Sequence, residues 1–122
     1  MRVAVSADGK EITQSKIIPT PKDFEQGIQI LKQISDELSH GEKIDGVAGG
    51  IAGPLDKNKA GLAAGPNMPG WINKPLKAEL ERIFGHQVLL ENDTATGGIG
   101  EAVKGAGAGE KIVAYIALGT GV

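Results

Sequence analysis

Residues Val88 to Leu90 form an apolar run that stops at Glu91-Asn92-Asp93, and a segment of small residues, Thr94 to Gly100, follows it. A buried strand ending this abruptly delivers its last side chains to the mouth of a cleft, where element ends and loops carry function. A carboxylate beside an amide is suited to gripping a polyol and taking the proton from one of its hydroxyls. Further along, a second apolar stretch, Ile112 to Leu118, runs into Gly119-Thr120-Gly121-Val122. Backbone N–H groups in a glycine turn of that kind cradle phosphate oxygens. Taken in order, the two features imply a hydroxylated acceptor and a phosphoryl donor.

The rest of the chain reads as alternating elements. Arg2 to Ser6 and Glu11 to Ile18 form a hairpin across the turn Ala7-Asp8-Gly9-Lys10. The spacing of Phe24, Ile28, Leu31, Ile34 and Leu38 predicts an amphipathic helix, with Thr20 as cap, Pro21 and Asp23 in its first turn and Gly41 as its stop. Lys43 to Ile51 is the next strand. Residues 55 to 62 have only weak strand character, and Gly65-Pro66-Asn67-Met68-Pro69-Gly70-Trp71 is too punctuated for a regular element. A helix from about Lys74 to Phe84 stops at Gly85, and Gln87 to Leu90 is a strand. Thr94 to Lys104 is a third helix, although Gly97, Gly98 and Gly100 each lower its intrinsic stability by roughly 1 kcal/mol against Ala. Ile112 to Leu118 is the last strand. Paired strands followed by helix–strand alternation predict an α/β domain around a mixed sheet.

At 122 residues the whole chain, 1–122, is read as one domain. A net charge of −2 and the lack of a basic stripe argue against nucleic acid as a partner. Cysteine is absent, which excludes disulfides and thiolate metal sites and fits a reducing compartment. Neither a leader nor an apolar run of membrane-spanning length is read, so a soluble, cytoplasmic protein is expected, with no membrane partner.

Asp93 is the candidate general base for phosphoryl transfer to a hydroxyl. The bland alternative is that Asn92, Asp93 or Thr94 only caps the glycine-rich helix. Asn92 offers a donor and an acceptor to vicinal hydroxyls, or else serves a turn. Gly53 lies where a side chain would block a ligand's approach to the backbone, while Gly49 and Gly50 let a strand pack closely. Asn67 and Trp71 sit in a proline-rigid loop. Trp71 either stacks on a sugar face or, as is commoner, anchors the loop to the core. Glycines 105, 107 and 109 read as a flexible connection, and His40 and His86 as solvent-facing.

Five motifs in order carry a resemblance over nearly the whole chain: Gly-Ile-Ala-Gly-Pro-Leu-Asp (50–56), Pro-Asn-Met-Pro-Gly-Trp (66–71), Glu-Asn-Asp (91–93), Gly100-Glu101, and Leu-Gly-Thr-Gly-Val (118–122). Together they resemble the repressor, open-reading-frame and kinase (ROK) family of sugar kinases. The resemblance implies an actin-like ATPase lobe, related to ribonuclease H, and ATP- and Mg2+-dependent phosphorylation of a hexose or N-acetylhexosamine. By position it implies Asp93 as base, Asn92, Gly53 and Asn67 on the sugar, and Gly119, Thr120 and Gly121 along the phosphates. The family's Asp-x-Gly-Gly-Thr first strand and its second lobe have no counterpart here, and Thr94 to Gly98 is richer in glycine than the family pattern. A first strand missing from mid-sheet would leave two neighbours with unpaired backbone, to be remedied by a partner chain, a second copy or a rearranged sheet. Such a segment, lacking its C-terminal lobe, is expected to be inactive alone. Two alternatives stand beside the kinase lobe: a sugar-sensing repressor of the same family, and a non-catalytic α/β interaction domain.

Overall fold

Asp8 sets the first turn. Its Oδ1 accepts the backbone N–H groups of Glu11 (3.0 Å) and Lys10 (2.8 Å), and these bonds to the ionised form hold its carboxyl below the usual value. The turn joins β1 (Arg2–Val5) to β2 (Gln14–Ile17), antiparallel with Arg2 opposite Ile17 and Val5 opposite Gln14. The second strand therefore starts at Gln14 and not at Glu11, which the Asp8 side chain draws into the turn. The computed structural model describes residues 1–118 of the chain.

Helix α1 (Phe24–Leu38) is capped by Asp23, whose Oδ1 accepts from Gln26 N at 2.8 Å. Thr20, the expected cap, lies too far upstream; its hydroxyl accepts from the Met1 nitrogen at 2.9 Å. Gly41 closes the helix as expected, donating to Asp36 O at 3.1 Å. Strands β3 (Val47–Ile51) and β4 (Val88–Asn92) pair in parallel, with Val47 opposite Val88 and Ile51 opposite Asn92. Between them lie a long loop, one 3-10 turn at Pro69–Trp71, and α2 (Leu76–Phe84). Gly85 ends α2 in the left-handed conformation, φ 70°, as its position after the last apolar residue predicts. β4 passes directly into α3 (Asp93–Lys104).

The core collects Phe24 and Ile28 of α1, Leu76 and Leu80 of α2, Val88 and Leu90 of β4, Ile51 of β3, and Leu62 and Trp71 of the long loop. Trp71 is buried, donates through Nε1 to Pro21 O at 2.9 Å, and meets the Phe24 ring edge-on at 5.2 Å. It is the anchor of its loop. A Cβ at Gly27 would run into the Trp71 ring, so α1 needs glycine there to let the indole lie against it.

The α/β order holds, with the strands of the described residues in two separate two-stranded ribbons, antiparallel β1–β2 and parallel β3–β4, and one sequence expectation fails. The helical layer joins them: α1 packs on β1, β2 and α2, while α2 packs on β4. Residues 112–118 form no strand, and Ile112, Ile116 and Leu118 are 91%, 81% and 82% exposed. Strand composition measures fit to a half-buried, paired surface, and these residues have no pairing partner among those described. Helix α3 forms despite its glycines, two of which, Gly97 and Gly98, have the Tyr115 ring where a side chain would point.

Phe24→Ala removes a fully buried ring from both the α1 core and the Trp71 contact. It should lower unfolding stability by about 3–5 kcal/mol, read in urea titrations followed by the fluorescence of Trp71, the sole tryptophan.

Candidate functional site

In a parallel pair both strands end on the same side, and ligands of α/β proteins bind outside those carboxyl ends. Here β3 ends at Ile51 and β4 at Asn92, directly opposite each other, so the loop carrying Gly53 and the start of α3 emerge together. Asn92 binds them to one another. Its Oδ1 accepts from Thr94 N (3.0 Å) and Ala95 N (3.2 Å), which caps α3, and its Nδ2 donates to Gly53 O at 2.9 Å. An amide nitrogen carries two protons, so one remains for a ligand. The Thr96 hydroxyl donates back to Asn92 O at 2.9 Å and tightens the same turn.

Gly53 has φ 123°, and a Cβ there would lie 2.7 Å from Ala64 O and 2.8 Å from Leu62 Cδ1. The obstacle to a side chain at this position is the protein's own loop. Gly50 behaves as expected of close packing: a Cβ would stand 3.0 Å from Thr96 Oγ1 and 3.1 Å from Asp93 Cα, so its absence seats the first turn of α3 on β3.

Asp93 opens α3 and is exposed. Its Oδ1 accepts from Thr94 N at 2.8 Å, and no basic side chain pairs with it among the described residues. It lines an open cleft of about 1050 Å³ that runs between β1 and β3. A carboxylate at a helix N-terminus, held by one oxygen, keeps the other for a ligand proton.

Asp93, Asn92 and Gly53 thus come together, as the sequence places them. Asn67 does not join them by any described contact; it is exposed in the turn that Met68 N closes on Gly65 O at 3.2 Å. Gly119, Thr120 and Gly121 lie outside the described residues.

Sequence reasoning missed the support beneath Asn92. The Lys59 ammonium binds Glu91 Oε2, and Glu91 Oε1 accepts from Asn92 N at 3.0 Å. The Lys59 hydrogen bond, then the Asn92 N–H and the Lys59 charge, hold the Glu91 carboxyl below its ordinary range. Lys59 reads in the sequence only as part of a polar turn. Its one visible partner signal is an acidic residue closing an otherwise apolar strand.

The ROK family pattern matches residues 1–122. The chain is 33% identical over 124 residues to a glucokinase of Thermotoga maritima, covering 97% of this chain and 38% of that protein. It is 32% identical over 109 residues to an N-acetyl-D-glucosamine kinase of Yersinia pestis, covering 88% and 42%. Among solved structures it superposes with TM-score 0.76 on the ROK family glucokinase of Streptomyces griseus in complex with glucose and AMPPNP. That match is 29% identical and covers 87% of this chain and 34% of the other. The chain therefore spans well under half the length of these relatives. The superposition places the fold with the actin-like ATPases.

Asn92→Ala should lower stability by about 1–2 kcal/mol through loss of the cap, and Asn92→Asp, which keeps an accepting oxygen, should lower it less; thermal melts by circular dichroism compare the two. For Lys59→Met, the Glu91 carboxyl should titrate closer to the ordinary carboxylate value in ¹³C NMR. Because the folded-state pKa is depressed, the pair stabilises above the unfolded carboxylate pKa, and that stability is lost as pH falls through the lowered one. The wild-type advantage over Lys59→Met should accordingly be present at neutral pH and close in acid.

Proposed function

The chain belongs to the ROK family, and from that premise we propose that it is the part of a sugar kinase that holds the acceptor and removes its proton, in an ATP-dependent phosphorylation of a hexose or N-acetylhexosamine hydroxyl. The observation that carries this reading is the position of Asp93: exposed, unpaired among the described residues, at the carboxyl end of a parallel strand, on an open cleft. The names of the relatives, glucokinase and N-acetyl-D-glucosamine kinase, supply the substrate class.

In this reading the free Asp93 oxygen accepts the proton of the sugar hydroxyl as that oxygen attacks the terminal phosphorus of ATP, and ADP leaves. The spare Asn92 N–H holds a neighbouring hydroxyl, and the fixed backbone at Gly53 sets the distance to the ring. Asn67 contributes from the loop edge, and Gly119, Thr120 and Gly121 belong to the phosphate end. Magnesium neutralises phosphate charge when bound; it takes one or two carboxylates and fills its shell from phosphate and water. Asp93 is a carboxylate of that kind.

The test is steady-state kinetics of the native gene product that contains this chain, with ATP, Mg2+ and a panel of hexoses and N-acetylhexosamines. Asp93→Asn should lower kcat by about 10²–10⁴-fold with a far smaller change in sugar KM. Unchanged kcat would remove Asp93 from the reaction. The 122-residue chain alone should show no turnover in the same coupled ADP assay.

A further inference from the structure

We propose that Lys59 is a positioning residue for the sugar site: through Glu91 it sets the main chain from which Asn92 and Asp93 reach the acceptor. This role deepens the kinase reading and rests on it. Lys59 has φ 53°, in the left-handed region where a side chain crowds its own main chain. The other non-glycine residues with positive φ, among those described, are His40 and Asn73, both of types that tolerate it; lysine is not one of these. The turn around Lys59 leaves little choice. Asp56 Oδ1 accepts from Asn58 N and Ala60 N, both at 2.9 Å. Lys59 N donates to Asp56 O at 3.0 Å, and Asp56 N to Gly61 O at 3.0 Å. A bulky residue stays at such an angle only where its surroundings over-determine it, and such residues cluster at ligand clamps and active sites. Here the angle carries the ammonium to Glu91 Oε2, 32 residues away.

The segment that carries Lys59 is fixed at its base. Leu55 and Leu62 pair across it, and Leu62 also pairs with Ile72. Asn73 N donates to Leu62 O (2.8 Å), Lys77 N to Ala60 O (2.8 Å) and Ala63 N to Pro54 O (2.9 Å). Leu62 is fully buried, and one of its methyl groups stands where a Cβ at Gly53 would lie. The turn therefore cannot shift without the Gly53 loop. Lys59 closes a ring with that loop. The ring runs along the chain from Gly53 to Lys59 and across to Glu91. It passes through Asn92 N, which donates to Glu91 Oε1 at 3.0 Å, and returns from Asn92 Nδ2 to Gly53 O at 2.9 Å. Asn92 is thus held by main chain and side chain together, and Asp93 follows it directly. Without the ammonium the Glu91 carboxylate turns to water, and the Asn92 N–H loses the acceptor held for it. A misplacement of about 1 Å, caused by a change remote from the chemistry, lowers a rate by up to about a hundredfold.

The test is a kinetic cycle on the native gene product that contains this chain, with ATP, Mg2+ and the sugar it turns over fastest. Lys59→Gly suits the left-handed angle and removes the ammonium. It should melt no lower than the wild type, yet lose about tenfold in kcat; a part in folding alone would not slow an enzyme that melts unchanged. Lys59→Arg keeps a cation for the carboxylate and should retain most of the wild-type kcat. In an Asp93→Asn background the loss from Lys59→Gly should shrink below about twofold, because misplacing a base already removed has no further effect. Three results would each overturn the role of Lys59: a Lys59→Gly variant with wild-type kcat, a Lys59→Arg variant as slow as Lys59→Gly, or the tenfold loss carried in full into the Asp93→Asn background. An Asp93→Asn variant with wild-type kcat would overturn the kinase reading itself, and the role of Lys59 with it. A slow Asp93→Asn beside a fully active Lys59→Gly would overturn the role of Lys59 alone.

Discussion

The parallel register that sets Ile51 opposite Asn92 leaves one amide to hold two departing segments, and the geometry of the site follows from that amide. Its oxygen fixes where α3 starts, its nitrogen fixes how the Gly53 loop leaves β3, and both together aim Asp93. A slip of one residue between the strands would turn Asn92 to the opposite face and lose cap and tether together. Beneath it the Lys59–Glu91 pair steadies the Asn92 backbone from the other side, through the N–H of that same residue. The exposed ion pair contributes little to folding as such; its effect is to hold a short length of main chain at the end of a strand.

What could be read from sequence was what neighbouring residues decide. The spacing of Phe24, Ile28, Ile34 and Leu38 located the buried face of α1, and Gly85 marked the end of α2, because both depend on a single turn of chain. The junction at Asn92-Asp93 was legible for the same reason: an apolar run that stops at polar residues must emerge there. Helix starts were less legible. Thr20 and Asp23 are both competent caps; Asp23 takes the role through Gln26 N, while the Thr20 hydroxyl is held by the Met1 nitrogen. Partners distant in sequence were not legible at all. Lys59 and Glu91 lie 32 residues apart, and the turn that brings them together is set by the tertiary fold. The strand expected at 112–118 failed on the same ground, since a strand exists through its neighbour. At Gly53 the sequence does not show what fills the space beside it: the protein's own loop at Ala64 does.

The two ribbons differ in what holds them. β3–β4 is fastened at its carboxyl end by the Asn92 contacts and covered by α2 and α3, and it carries the candidate chemistry. β1–β2 reaches the rest of the molecule through α1. Trp71 lies where these arrangements meet, pinned to Pro21 ahead of α1 and pressed edge-on to Phe24, so the loop from 65 to 71 is fastened to the helical layer.

At Gly61, ahead of that loop, and at Gly70, near its end, a side chain would collide with main chain, the Lys74 carbonyl at one and the Lys22 carbonyl at the other. Backbone against backbone locates both ends, whichever side chains lie between. Asn67 therefore stands on a stationary platform whose outward residues can be exchanged without moving it. Substitution at the tip of this loop would therefore leave the spacing of the two strand ends, Ile51 and Asn92, as it is.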